Sequence, residues 1–404
     1  MSLLVSGGAH VHDTNAGQGG IGPHSGYLPP ITFRGAQVLM PDGLRQTDVT
    51  IADGVIRSAQ GMVRNLDGYL ILPGIIDLHG DGFERHLAPR RGALDNVTTG
   101  LHSVDAELAA HGITTAFLAQ FFSWEGGMRG PDHADIVADA VAQTDTLTDL
   151  RLQLRVEISM MDAYHRALSL IDRCGVSYVV FNDHLPHRDL ARGKPPAGLT
   201  GKALKAGRSP QAHLEFLHHL HTAQPQVRPA LAAFAETLRR RGVHLGSHDD
   251  TTPADRAWYR GVGAHIAEFP ETRATALAAK AAGDAVVMGA PNVVRGGSHR
   301  KNQSAAALVA DGAVDALVSD YHYPSLAQAA FKLVDGGMPW AAAWAMVSAG
   351  PADMLGMTDR GHIAPGLRAD LVIVAADTRR VAGTLAAGRF SALNGALATR
   401  LIVG

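Results

Sequence analysis

Cysteine is almost absent: the 404-residue chain has one, Cys174, which excludes an intrachain disulfide framework. Net charge is missing too. With 36 basic against 38 acidic residues, no global field draws the chain onto nucleic acid or an anionic membrane, so any anion binding has to be local. No stretch reaches the roughly 18 consecutive apolar residues of a membrane span; the richest, around Trp340 to Ala349 and Ala274 to Ala282, are short and alanine-rich. The opening MSLLVSGGAHVHDTNAGQGG lacks the basic and apolar regions of a secretory signal. A cytoplasmic protein with no membrane or nucleic-acid partner is expected, and a homo-oligomer is open to it.

What is present is enough apolar chain, 46%, for a large core or for one barrel plus a smaller module. Also conspicuous are 45 glycines, which suggest many tight turns, and 21 histidines, some of which are candidate metal ligands. Residues 1–30 have no periodicity and read as a flexible or loosely packed arm. From Ile31, short β-prone runs separated by Pro-Asp-Gly and Ala-Asp-Gly turns predict a small antiparallel sheet. GHIAPGLRADLVIVAAD and TLAAGRF repeat that style near the other end, so both chain ends are expected to build one β-sandwich, residues 31–72 and 356–404, around an inserted middle. Within 73–355, eight short apolar runs alternate with helical spacing: Gly74 to Leu78, Thr114 to Ala119, Leu152 to Ile158, Tyr178 to Phe181, Val243 to Gly246, Ile266 to Phe269, Ala285 to Met288 and Ala316 to Val318. Eight strands alternating with helices predict an α/β fold with a TIM-like (β/α)8 barrel; a doubly wound open sheet is the alternative. The connection from Asn182 to about Ala230 is long for a βα loop and is expected to be functional or mobile.

A barrel of this kind builds its active site at the C-terminal ends of its strands, so polar residues just after each run are the candidates. His79 and Asp81 lie two apart in extended chain, so both can point to one side and chelate one ion. Glu157 closes the third run, Asn182-Asp183-His184 the fourth, Ser247-His248-Asp249-Asp250 the fifth, Glu268 the sixth, Asn292 follows the seventh and Ser319-Asp320 the eighth. Each has a plainer reading. Histidines such as His111, His265 and His322 are expected to be hydrogen-bonded or surface groups. Glu157 could be a salt-bridged strand residue, but a buried unpaired carboxylate is costly and a metal offsets that cost. His79, His184 and His248 each sit at the same topological position beside a carboxylate, which favours ligation. Glu268 stands evenly between ligand and supporting acceptor.

The segments LPGIIDLHGDGFERHLAPR, LGSHDDTT, IAEFPET, VMGAPNVVRGGSH and SDYHYPSLAQAAF, in that order over about Pro73 to Pro351, resemble the amidohydrolase superfamily. They look most like its branch that releases diphosphate from α-D-ribose 1-methylphosphonate 5-triphosphate in phosphonate metabolism. The resemblance implies one or two divalent ions, zinc or manganese, and a metal-activated hydroxide attacking the α-phosphorus of a small phosphorylated substrate. It further implies His79, Asp81, Glu157, His184, His248 and Asp320 as the metal site, with Glu157 bridging and Asp320 accepting the proton. Arg90, Arg295, His299 and Lys301 are the implied phosphate contacts, with backbone N–H groups around Gly296 and Gly297 as a cradle. Asp81 stands where the superfamily more often has a second His, and Phe83 with Glu84-Arg85 also departs from its pattern. Within the long fourth loop, residues 186–210 carry six basic residues (Arg188, Arg192, Lys194, Lys202, Lys205, Arg208) against the single acid Asp189, as a lid over a polyanion would; a solvated basic surface is the plainer reading. Two other functions stay open: hydrolysis of a C–N bond with the same hydroxide, and a non-catalytic binding protein, which would leave gaps in the ligand set.

Overall fold

The computed structural model describes residues 27–89, 96–296 and 304–403. Eight parallel strands follow one another in chain order around a single sheet: β1 (Ile75–Gly80), β2 (Ile113–Phe122), β3 (Asp149–Glu157), β4 (Tyr178–Asn182), β5 (His244–His248), β6 (Ile266–Glu268), β7 (Ala285–Gly289) and β8 (Ala316–Val318). A parallel bridge between Gly80 and Asp320 joins the last strand to the first and closes the barrel. Each apolar run read from the sequence overlaps one of these strands. The strands are apolar on both faces because helices cover them outside while Ile76, Leu78, Phe117, Val180, Val287 and Val318 fill the barrel inside. Leu355 and Met357 complete that inner cluster.

The chain ends form two further sheets. Strand Tyr69–Pro73 pairs antiparallel with Leu371–Ala375, so one six-stranded sheet is built from both ends of the chain. The antiparallel expectation for the first segment holds only in part. The hairpins Gln37–Met40/Gly43–Gln46 and Val49–Ala52/Val55–Arg57 do turn at the Asp-Gly sites, but they belong to different sheets. Moreover, Ile31–Arg34 pairs parallel with Met62–Asn65, and Gln37–Met40 pairs parallel with Tyr69–Pro73. Boundaries at 72/73 and 355/356 are the partition we propose for these sheets and the barrel. Most of the arm, residues 1–26, lies outside the described residues.

The long connection after β4 is helical, with helices His187–Leu190, Leu199–Lys205 and Pro210–Thr222. Trp124, Leu185, Leu190, Leu217 and Leu220 give it a small core of its own. Burial of these apolar side chains holds the excursion against the loop after β2, and it places the ammonium of Lys202 5.6 Å from the ring centre of Trp124. Among the described residues no helix is long and apolar enough to cross a membrane.

Candidate active site

A cavity of about 460 Å³ opens at the C-terminal ends of the barrel strands. His79, Asp81, His184, His248, Asp320 and Arg295 all line it. The ends of β1, β4, β5 and β8 thus converge, together with the helix Ala290–Arg295 that follows β7. His111, His265 and His322 stay out of its lining. Arg90, His299, Lys301 and Gly297 lie outside the described residues. Gly296 is described, and its N–H donates to the carbonyls of Asn292 and Val293 at 3.1 and 3.3 Å. That group caps its helix and is therefore not free to cradle a phosphoryl oxygen.

Each of the three imidazoles sets its Nδ1 against a buried carboxylate. Glu268 Oε2 lies 2.8 Å from His79 Nδ1 and 3.2 Å from His248 Nδ1. Its Oε1 accepts from Gln153 Nε2 at 2.6 Å and from the Tyr178 hydroxyl at 2.7 Å. Four donors therefore occupy the two oxygens of Glu268, which makes it an orienting acceptor rather than a free ligand. Burial pushes its carboxyl up, but the His79 and His248 imidazoles outweigh burial and hold it below the usual carboxylate range. Glu157 plays the same part for His184. It accepts from His184 Nδ1, from the His184 backbone N–H at 3.1 Å and from Trp124 Nε1 at 3.2 Å. The bridging position expected for Glu157 is not where this carboxylate sits: its oxygens face the back of His184, and it does not line the cavity.

An ionised carboxylate only accepts, so the ring nitrogen facing it carries the proton. The Nε2 lone pairs of His79, His184 and His248 are then the basic ones, the tautomer that metal-binding imidazoles need. Burial and the neighbouring Arg155 pull the His248 pKa down to about 4, which keeps that ring neutral. Donor atoms of His184, His248 and Asp249 lie within 4.8 Å of one another; His79, His248 and Glu268 are as close, but there the carboxylate is already taken by the two imidazoles. Mixed imidazole and carboxylate donors at this spacing fit a divalent ion such as zinc or manganese.

Asp320 is clamped by backbone. Its N–H donates to the His79 carbonyl at 2.9 Å, and its own carbonyl accepts from Asp81 N–H at 2.8 Å, with φ at +56°. That left-handed conformation is uncommon for an aspartate and, like the one at Asp249 (φ +59°), it sits at a strand end on the cavity. Burial pushes the Asp320 carboxyl up to about 6. Beneath it, Asp77 accepts from Ser319 Oγ at 2.5 Å and from the N–H groups of Ser319 and His79 at 3.0 and 3.3 Å, tying β8 to β1.

Two basic residues that the sequence does not single out for the site, Arg129 and Arg155, also line the cavity, and so does Lys202 from the basic loop expected as a lid. Arg155 carried a signal. Gln153-x-Arg155-x-Glu157 alternates along β3, so all three point to one side of the strand. Arg129 comes from the turn after β2, where nothing in the local sequence distinguishes it from a surface residue. Of the six basic residues of the fourth loop, Lys202 alone lines this cavity, and Arg208 instead lies over the Phe216 ring at 4.2 Å.

Residues 230–394 match the model of the Amidohydrolase family. The chain is 35% identical over 320 residues to the α-D-ribose 1-methylphosphonate 5-triphosphate diphosphatase of Escherichia coli (strain K12), covering 76% of this chain and 83% of that protein. It is 25% identical over 388 residues to an adenine deaminase of Methylobacterium nodulans, covering 89% of this chain and 58% of that protein. Among solved structures, a triazine hydrolase variant superposes with a TM-score of 0.59 at 14% identity, covering 93% of this chain and 98% of that one. N-acetylglucosamine-6-phosphate deacetylase from Pasteurella multocida superposes with a TM-score of 0.59 at 12% identity, covering 90% and 100%. Likeness to these structures bears on the fold alone.

Proposed function

The chain belongs to the amidohydrolase family and is a hydrolase; from that premise we propose that it releases diphosphate from a ribosyl 5-triphosphate, with α-D-ribose 1-methylphosphonate 5-triphosphate the first substrate to test. One observation carries this choice over C–N bond hydrolysis: Arg129, Arg155, Lys202 and Arg295 surround the same cavity as the three imidazoles. Arg129 is already paired with Glu125, but buried Arg155 has no ion-pair partner among the described residues, and a polyphosphate, unlike a neutral amide, supplies one. The 35% identity to the Escherichia coli diphosphatase supports the same reading.

In this proposal His79, Asp81, His184, His248 and Asp320 would hold the divalent ion, zinc or manganese. Glu157 and Glu268 stand behind them and fix the imidazole tautomers. The ion, when bound, supplies Lewis acidity and brings the pKa of a coordinated water to about 7. Asp320 takes the proton of the attacking water at its carboxylate, which the two backbone hydrogen bonds hold against the His79-x-Asp81 strand end. Arg295, with Arg90, His299 and Lys301 from outside the described residues, binds phosphate oxygens as charge builds on them. The substrate is a small phosphorylated molecule, and a cytoplasmic location suits it.

The deciding experiment measures metal content and then product release from a panel of ribosyl triphosphates, N-acyl compounds and nucleobases. Diphosphate release from a 5-triphosphate is the expected result. Robust ammonia or carboxylate release, with no diphosphate from any triphosphate, would move the protein to the C–N hydrolases.

A further inference from the structure

Three arginines are buried among the described residues: Arg155, Arg256 and Arg360. Two of them are neutralised in the usual way. Arg256 lies 2.9 Å from Asp250 and 3.2 Å from Asp284, and Arg360 lies 2.6 Å from Asp149 and 2.8 Å from Asp359. Arg155 is 4% exposed, yet no carboxylate among the described residues forms an ion pair with it. Its only hydrogen-bond partner there is uncharged: one terminal nitrogen donates to His248 Nε2 at 3.1 Å, the lone pair that a bound ion would take from it. The guanidinium lies 3.9 Å from the ring centre of Phe121, and its Nε has no hydrogen-bond partner among the described residues. Burial pulls its pKa down, while Glu268, Asp81 and Asp249 pull it up from a distance and Arg129 opposes them. Burying a cation without a direct counter-ion costs several kcal/mol, so this arrangement is stable only as part of something that compensates it.

Arg129 lies against the same aromatic ring, 4.2 Å from its centre, and lines the same cavity. Unlike Arg155 it has a counter-ion, Glu125 at 2.7 Å. We propose that Arg155 is the phosphate anchor of the substrate, a guanidinium held without a counter-ion so that an oxyanion of the reacting phosphoryl group completes it, with Arg129 as the outer member along the edge of Phe121. Planar, forked donors suit phosphate oxygens, and a buried fork binds them more strongly than a solvated one. The inference rests on the phosphate reading of the site and adds the residue on which recognition turns.

A structural arginine and a waiting one differ in what their removal does. The test compares wild type, Arg155→Met, Arg155→Lys and Arg129→Gln, all metal-replete, by calorimetric titration with inorganic triphosphate in excess magnesium. Melting temperature with and without triphosphate, and metal content, are measured alongside. Arg155→Met is expected to bind triphosphate at least about tenfold more weakly at unchanged metal content. It should melt no lower than wild type without ligand, because an unpaired buried charge has gone, and should lose most of the triphosphate-induced rise. Arg155→Lys should fall between the two, and Arg129→Gln should bind severalfold more weakly.

Wild-type affinity in an Arg155→Met variant of normal melting temperature overturns the anchor while leaving the phosphate reading intact. So does a second bound metal ion per chain in that variant with triphosphate affinity unchanged, because Arg155 would then be excluding a cation. If Arg155→Met melts far below wild type, Arg155 is structural and the anchor is likewise overturned, unless Arg155→Lys folds and shows the intermediate affinity. Absence of triphosphate binding by the wild type overturns the phosphate reading itself, and the anchor with it.

Discussion

Asp320 is asked to be two things, a carboxylate near a cation and an acceptor of a proton, and its surroundings suit both. Burial pushes its pKa up to about 6, close enough to neutrality for a useful base yet ionised at pH 7. The base works unprotonated, so activity is lost as the pH falls through the pKa. A bound cation opposes the rise, so the acid limb of the kcat/KM profile is expected at or below about pH 6. Asp320→Asn should lose about a hundredfold or more in kcat while retaining a bound ion; near-wild-type turnover in that variant would remove its assigned role. Glu268 is a different kind of residue. It touches no expected ligand of the ion other than the two histidines it orients, so Glu268→Gln should weaken metal affinity by about 10- to 100-fold, read by chelator competition. An unchanged affinity would show that Gln153 and Tyr178 suffice to hold the pair.

The strand ends work as elements because neighbouring strands are locked in register. Glu157 pairs with Asn182 and His248 with Glu268, so β3 to β6 deliver their polar ends at one level. Gly80 shows how closely the seam is built. A Cβ there would lie 2.7 Å from the Tyr323 ring and 2.8 Å from Asp77 Oδ2, where β1 meets β8. Gly80→Ala is therefore expected to cost about 1–3 kcal/mol by overpacking, read from denaturant unfolding, and to depress activity as well by displacing Asp320 from the His79 carbonyl. A loss of stability without loss of activity would mean that the seam and the catalytic strand end relax independently. The helical excursion after β4 is the counter-example to strand-end logic. Its contribution to the cavity is Lys202, placed by the packing of Trp124, Leu185 and Leu217 rather than by the barrel.

At the scale of the molecule, the end-derived sheets are more than an appendage. Leu70, Leu72, Val372 and Val374 belong to the same hydrophobic cluster as the barrel-covering helices, and Trp344 Nε1 donates to the Pro73 carbonyl at 2.9 Å. A chain ending at Leu355 leaves the strand Tyr69–Pro73 without its antiparallel partner and uncovers those side chains. It is expected to be largely insoluble, measured as the soluble fraction on expression, whereas a soluble and active truncation would show the barrel to be self-sufficient. The barrel itself was legible in the sequence because strands buried on both faces are continuous apolar runs, and the polar residues after them mark where each strand ends. His79, Asp81, His184, His248 and Asp320 were legible as candidates for that reason, and so was the family resemblance of the segments around them. What no local pattern could supply is partnership. Glu157 and Glu268 are alike as glutamates ending apolar strands, and only the surrounding donors make both of them supports for imidazoles. The alternation along β3 places Arg155 on the side of Glu157, but which of Arg155, Arg256 and Arg360 lacks a counter-ion depends on contacts between distant parts of the chain. Composition and periodicity thus determined the architecture and the address of the site, since burial is written residue by residue. Tertiary structure decided the roles, because a charge acquires its function from the groups that folding brings within a few ångström of it.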